Sequence, residues 1–142
     1  MSVGPLHSVS VAGVVVDDRR RVLVVKRRDN GQWQAPGGVL ELEETLEEGV
    51  AREVLEETGV RVEVERITGI YKNLSKAVVA IVFKCRPLAG QPRPTDESTC
   101  VEWLDVADAV ERMLPAFAVR VQDAVSSDLQ PTSRSHDGTN LL

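Results

Sequence analysis

The residues of this chain whose types and spacing could do chemistry are Gly38, Glu44, Arg52, Glu53, Glu56, Glu57 and Gly59. On a helix advancing about 100° per residue, with Glu53 at zero, Glu57 falls near 40° and Glu56 near 300°, so three carboxylates share one stripe. Like charges at that spacing repel, and Arg52 alone does not balance three of them. A hard divalent cation such as magnesium, which takes oxygen ligands, is the economical counter-charge. Such an arrangement suits neutralising a densely anionic substrate and placing water against it.

The surrounding sequence must deliver that stripe. Thr45 followed three residues later by Glu48 forms a capping-box pattern, and Gly59 stands where a left-handed C-terminal cap falls, which predicts a helix over 46–58. On the same wheel Leu46, Val50, Ala51 and Val54 lie between about 20° and 160°, beside the acids, so the helix buries one side and offers carboxylates along the edge of the other. Gly49 costs about 1 kcal/mol relative to alanine in a helix interior and projects near 320°, where a small residue leaves room for a ligand or a closely packed loop.

Before this helix, residues 8–16 (SVSVAGVVV) and 22–26 (VLVVK) read as two strands joined by the turn DDRRR, a predicted hairpin. Residues 27–32 carry an Asn-Gly turn signal, and 33–38 (WQAPGG) form a short extended piece. After the helix, 61–71 alternate as a strand with a bulge at Gly69. Residues 76–85 (KAVVAIVFKC) are the strongest central strand, 86–98 a proline-rich loop, 99–104 a strand and 106–113 a short helix. Residues 115–125 form a second amphipathic helix with Pro115 at its start. Strands on both sides of the first helix and a late second helix predict an α/β fold with a sheet between helices.

At 142 residues and 42% hydrophobic content the chain has enough material for one compact core. We place a single domain at 1–128 and a tail at 129–142; composition alone from Ser126 onward reads as disordered, yet the tail is expected to dock, on a neighbouring subunit or over its own site. A formal net charge of −5 argues against coating duplex nucleic acid, which is driven by phosphate neutralisation. No charged leader precedes a long apolar run and no stretch approaches the roughly 18 apolar residues of a membrane helix, so a cytoplasmic location without a membrane partner is expected. Cys85 and Cys100 form no CxxC or Cys/His cluster, and buried free thiols are expected of both. His7 and His136 have no partners in sequence and receive no role.

Gly38, five residues, Glu44, seven residues, Arg52-Glu53, an apolar Val54, one residue, Glu56-Glu57, one residue, Gly59 and an apolar Val60 together resemble the full motif of the Nudix hydrolases. Seven fixed letters coincide by chance on the order of once in 10⁸ windows. The preceding WxxPGG (residues 33–38) and the downstream segment 97–103, with its acid and tryptophan, fit the same family, so the resemblance covers about residues 8–125.

The resemblance implies an α/β/α sandwich around a mixed β-sheet and hydrolysis of a nucleoside diphosphate linked to a further group X. It implies Glu53, Glu56 and Glu57 as ligands of Mg2+, with Mn2+ as a substitute, and Glu53 or a residue outside the motif as general base. Arg52 is then expected to orient Glu56, and Glu97 to be the distal ligand or base, with Asp96 and Glu102 as rivals. Glu44, at the helix entrance, suits the helix dipole or a direct metal role. Gly37 and Gly38 let the backbone approach phosphates closely. Among Lys26, Arg27 and Arg28, we take Arg27 and Arg28 as phosphate contacts against the alternative of a solvated turn. Tyr71 and Lys72 are expected to border the substrate pocket, and Trp33 to pack.

For X, the missing marks of the nicotinamide-dinucleotide and ADP-ribose subgroups lean toward a MutT-like nucleoside triphosphate or oxidised-nucleotide pyrophosphohydrolase. ADP-ribose and other dinucleotides are the alternative substrates, and a non-catalytic nucleotide-sensing module is the alternative class. The expected partner is a small nucleotide, and many relatives are homodimers.

Overall fold

The computed structural model describes residues 3–142. In chain order the elements are β1 (Ser8–Val15), β2 (Arg21–Arg27), β3 (Trp33–Gln34), β4 (Gly37–Val39), α1 (Leu46–Thr58), β5 (Arg61–Asn73), β6 (Val78–Ala89), β7 (Ser98–Asp105), α2 (Val106–Arg112), α3 (Pro115–Val125) and β8 (Thr132–His136). Five strands form a mixed sheet in the order β4-β1-β6-β5-β8, and three form a second sheet, β3-β2-β7. The pairs β1–β6 and β5–β8 are parallel, and the remaining pairs are antiparallel.

Alternation along the central strands sorts the core into two layers. Val11 and Val15 of β1, with Phe83 and Cys85 of β6, pack against Val50 and Val54 of α1. The intervening Ala12 and Val14, with Ala80 and Val82, face Ala118, Val119 and Val121 of α3 and Ala109 of α2. The sheet therefore lies between α1 on one face and α2 with α3 on the other, the predicted α/β/α sandwich. Among the described residues no helix is long and apolar enough to cross a membrane.

The predicted hairpin of the first two strands does not form. Both edges of β1 are occupied, by β4 and β6, so β2 pairs instead with β3 and β7 in the other sheet. All that joins β1's end to β2 is the single bridge Val16–Val22, beside a turn in which the Asp17 carboxylate accepts the backbone N–H groups of Arg19 and Arg21. The central strand β6 also runs further than expected, through Pro87, into the segment read as a loop. Of the two thiols, Cys85 is buried and Cys100 only partly so.

The polar C-terminal segment is ordered into the fold. Thr132–His136 adds the edge strand β8 to β5, in register from Gly69–Thr132 to Asn73–His136. Backbone pairing carries no compositional mark, which is why a serine- and threonine-rich stretch misreads as disordered. Its side chains then anchor on α3: Arg134 donates to Asp123 through Nε (2.9 Å) and Nη2 (2.8 Å), and Thr132 donates to the same carboxylate at 2.8 Å. Truncation at Ser126 should therefore lower unfolding stability by about 2 kcal/mol or more, because the hydrogen bonds to Asp123 and the cover over the β5 edge are lost together. Thermal denaturation checks this; an unchanged midpoint would mean that β8 contributes nothing.

Candidate active site

Helix α1 carries the acids and has both expected ends. The Thr45 hydroxyl accepts the Glu48 backbone N–H while the Glu48 carboxylate accepts that of Thr45, and Gly59 sits at φ 81°, a left-handed conformation that favours glycine. The loop before α1 packs tightly on it. A Cβ on Gly49 would lie 2.6 Å from Leu40 and 3.0 Å from the Glu44 carboxylate, so the space kept by Gly49 belongs to a loop.

Within this frame Arg52 is the hub. Its Nε and Nη2 donate to the two Glu44 oxygens at 2.8 and 2.5 Å, and its Nη1 donates to Glu53 at 2.8 Å. The contact to Glu56, through the same Nη1, is longer at 3.3 Å. Arg52 thus reaches Glu56 as expected, but its shorter bonds fix Glu44 and Glu53, because the guanidinium fork spans the loop and the helix at once. Glu44 is Arg52's counter-ion; the arginine, with the Glu41 backbone N–H, holds its carboxyl down at about 2.

Glu57 is buried and accepts the Gly37 backbone N–H at 3.2 Å. Burial, and then the nearby charges of Glu53 and Glu97, push its carboxyl up to about 7. Burial likewise raises that of Glu53, against the pull of Arg52. Gly38 stands against Glu53: a Cβ there would lie 2.5–2.7 Å from the carboxylate. Gly38 thus allows β4 to lie on the acidic edge of α1, while Gly37, whose Cβ would run into the Val11 carbonyl oxygen, allows it to lie close on β1.

Glu53, Glu56 and Glu57 line a cavity of about 280 Å³ together with Thr95, Asp96 and Glu97. Arg28 holds the facing loop: its Nε and Nη2 donate to the backbone carbonyls of Asp96 and Thr95, and its backbone N–H donates to that of Glu97. Among the described residues no three acidic, histidine or cysteine side chains already converge into a coordination cluster. The donor set is nevertheless that of a hard divalent cation: five carboxylate residues and a hydroxyl around one cavity, with no cation in its lining.

A second cavity, of about 320 Å³, runs from Gly37 and Gly38 past Ala12 and Ala80 to Lys76, Phe117 and Arg120. Arg27 lines it and is paired with Asp29 at 2.6 Å. The other expected pocket residues lie elsewhere. Tyr71 is fully buried and its hydroxyl donates to Asp123 at 2.7 Å, so its ring belongs to the core and is unavailable to stack on a base. Lys72, its neighbour on β5, lines neither cavity. Arg28 is spent on the Glu97 loop instead of a phosphate position. Glu102 is excluded as a rival to Glu97, because it lies exposed on β7 and pairs with Arg112. Trp33 packs beneath the Arg112 guanidinium, as expected. Arg120 was missed; its signal was an arginine set among the apolar residues of PAFAVRVQDAV.

The family model described as NUDIX domain matches residues 6–125. The chain belongs to the Nudix hydrolase family. It is 55% identical over 138 residues to a MutT-like protein of Streptomyces ambofaciens, covering 97% of this chain and 89% of that one. It is 34% identical to an ADP-ribose pyrophosphatase of Methanocaldococcus jannaschii, covering 71% of this chain and 64% of the relative. Among solved structures, a MutT protein from Methanosarcina mazei Go1 superposes with a TM-score of 0.71 at 28% identity, over 85% of this chain and 94% of that chain. An ADP-ribose pyrophosphatase from Streptococcus suis shares the fold with a TM-score of 0.74 at 22% identity, over 90% and 99%. Nudix hydrolases are pyrophosphohydrolases of small nucleotide substrates and generally depend on a divalent metal.

Proposed function

We propose that this chain is a magnesium-dependent pyrophosphohydrolase acting on a nucleoside triphosphate or an oxidised nucleotide. The observation that supports it best is the placement of β4 between two unlike cavities. Gly37 bonds Glu57 and Gly38 touches Glu53 on the acidic side, while both glycines line the larger cavity on the other. A diphosphate laid along this glycine backbone has its anhydride near the acids and its attached group in a space of nucleoside size. The M. jannaschii relative favours ADP-ribose as the second reading.

Glu53, Glu56 and Glu57 are the residues that would hold the cation. When bound, magnesium supplies positive charge against the diphosphate oxygens. The water oxygen bonds to phosphorus, the bridging P–O bond breaks, and the proton shed by the water passes to a carboxylate. Glu97 is our choice for that carboxylate. It lines the cavity, and among the described residues its side chain makes no hydrogen bond that would occupy it. Arg52 is a positioning residue that holds Glu53 against the glycines, and Arg27 is placed for phosphate contact.

Two measurements test this reading. With Mg2+ the protein should cleave at least one member of a panel of nucleoside triphosphates, oxidised nucleotides and ADP-ribose, giving a nucleoside monophosphate with pyrophosphate from a triphosphate or with ribose 5-phosphate from ADP-ribose, and none after chelation; no turnover of any member would defeat the enzyme reading. Glu97→Gln should lower kcat by about 10²-fold and leave the melting temperature nearly unchanged. An unaltered rate would remove Glu97 from the mechanism.

A further inference from the structure

Arg120 projects from α3 into the wall of the larger cavity, away from the acids of α1. Arg120 is partly buried, and its guanidinium lies over two rings, 4.7 Å from the centre of Phe117 and 5.0 Å from that of Tyr71. Its Nε is buried without a hydrogen-bond partner. No carboxylate pairs with it among the described residues. Asp123, the acid one helical turn away, is committed to Arg134, Tyr71 and Thr132.

Among the described residues, the one polar group against the guanidinium deepens the shortage of acceptors. His136 Nε2 lies 3.4 Å from Arg120 Nη2, and the other ring nitrogen, Nδ1, accepts the Gly138 backbone N–H at 3.0 Å. A neutral imidazole has one lone pair in its plane, and the shorter Gly138 bond takes it. The ring proton is then on Nε2, facing another donor. Burial and the Arg120 charge both act to keep His136 neutral. Nε of Arg120 is therefore a donor without an acceptor, and with the ring proton on Nε2 of His136 so is Nη2. The Phe117 and Tyr71 ring faces offset part of the cost of a cation without an anion, yet they leave its Nε donor unmet.

We infer that Arg120 is the specificity-determining residue of this cavity, selecting a substrate whose base or terminal group presents oxygen acceptors to a pre-positioned guanidinium. This rests on the hydrolase reading, in which the diphosphate lies along Gly37 and Gly38 and the group attached to it extends toward α3. A donor-only group rejects an amino edge, which sets donor against donor, and rewards a carbonyl edge or a terminal phosphate. The lining agrees in charge: Arg27, Lys76 and Arg120 stand against one acid, Asp29, which Arg27 already neutralises.

The test compares the parent with Arg120→Met, which keeps the apolar stem, and Arg120→Lys, which keeps the charge without the fork. Substrates with carbonyl edges (GTP, UTP) are set against those with amino edges (ATP, CTP). The base-free 5-phosphoribosyl 1-diphosphate is set against ribose 1-diphosphate. We expect the parent to favour one oxygen-bearing set in kcat/KM by on the order of 10- to 100-fold. Arg120→Met should erase that preference and Arg120→Lys should keep part of it. Which pair is discriminated identifies the acceptor as base carbonyl or terminal phosphate.

Calorimetric binding of GMP against AMP, and of ribose 1,5-bisphosphate against ribose 1-phosphate, reads the same preference without turnover. No preference in the parent, or an equal one in Arg120→Met, overturns the inference. A parent that turns over nothing but binds selectively through Arg120 overturns only the hydrolase reading.

Discussion

Glu56→Gln combined with Glu57→Gln should lower kcat by on the order of 10³-fold while leaving the fold intact. Both side chains keep their shape, and the amide oxygen introduced at position 57 still accepts the Gly37 N–H that Glu57 accepts now. What disappears is charge on the wall of the acidic cavity. In metal-free protein this removal relieves strain: burial and the neighbouring carboxylates push the Glu57 carboxyl up to about 7, a sign that its ionised form is disfavoured where it stands. The double variant should therefore melt at or above the temperature of the metal-free parent and lose the stabilisation that Mg2+ gives the parent. Steady-state kinetics and melting curves with and without Mg2+ check this. Equal turnover, or an undiminished Mg2+-induced shift, would show that these carboxylates do not hold the cation.

Arg52→Met should damage stability and activity together. Glu53 lies well shielded, with its carboxylate bonded to Arg52 at 2.8 Å, and loses its counter-charge while remaining pressed against Gly38. Leaving a shielded carboxylate unpaired costs about 2 kcal/mol. Because Glu53 also loses its fixed direction, kcat should fall by about 10²-fold. Arg52→Lys should fall between, since one ammonium cannot span Glu44 and Glu53 as a fork does. Chemical denaturation with parallel kinetics tests the pair; a variant that lost activity at full stability would mean that Arg52 acts on substrate directly.

The acidic helix was legible in the sequence because its information is local. Thr45, Glu48 and Gly59 mark the ends, and the spacing of Val50 and Val54 marks the buried side, all within one short segment. The sandwich was legible because valine-rich runs announce strands buried on both faces. What escaped depended on partners far along the chain. The edges of β1 are claimed by β4 and β6, so nothing in residues 8–26 reveals that their apparent hairpin is split between sheets. Tyr71 looked available because its fate depends on Asp123 and on Gly69, where the absence of a side chain leaves room for the tyrosine ring. Arg52 was read from its helical neighbour Glu56, whereas its best partner, Glu44, sits across a loop whose shape no spacing rule supplies.

The parallel alignment of β1 with β6 has a consequence for how the chain folds. It joins a strand from the first quarter of the sequence to one from beyond the midpoint, with α1 and β5 lying between them. Such non-local pairing is slow, because the closure entropy of the intervening chain must be met before the contacts form. Helix α1 carries its own caps and needs no distant partner to begin, yet the surface it docks on does not exist until that pair closes. During refolding, helical signal should therefore precede function, and the acidic edge meets its glycine wall only in the final, rate-limiting closure of the central strands.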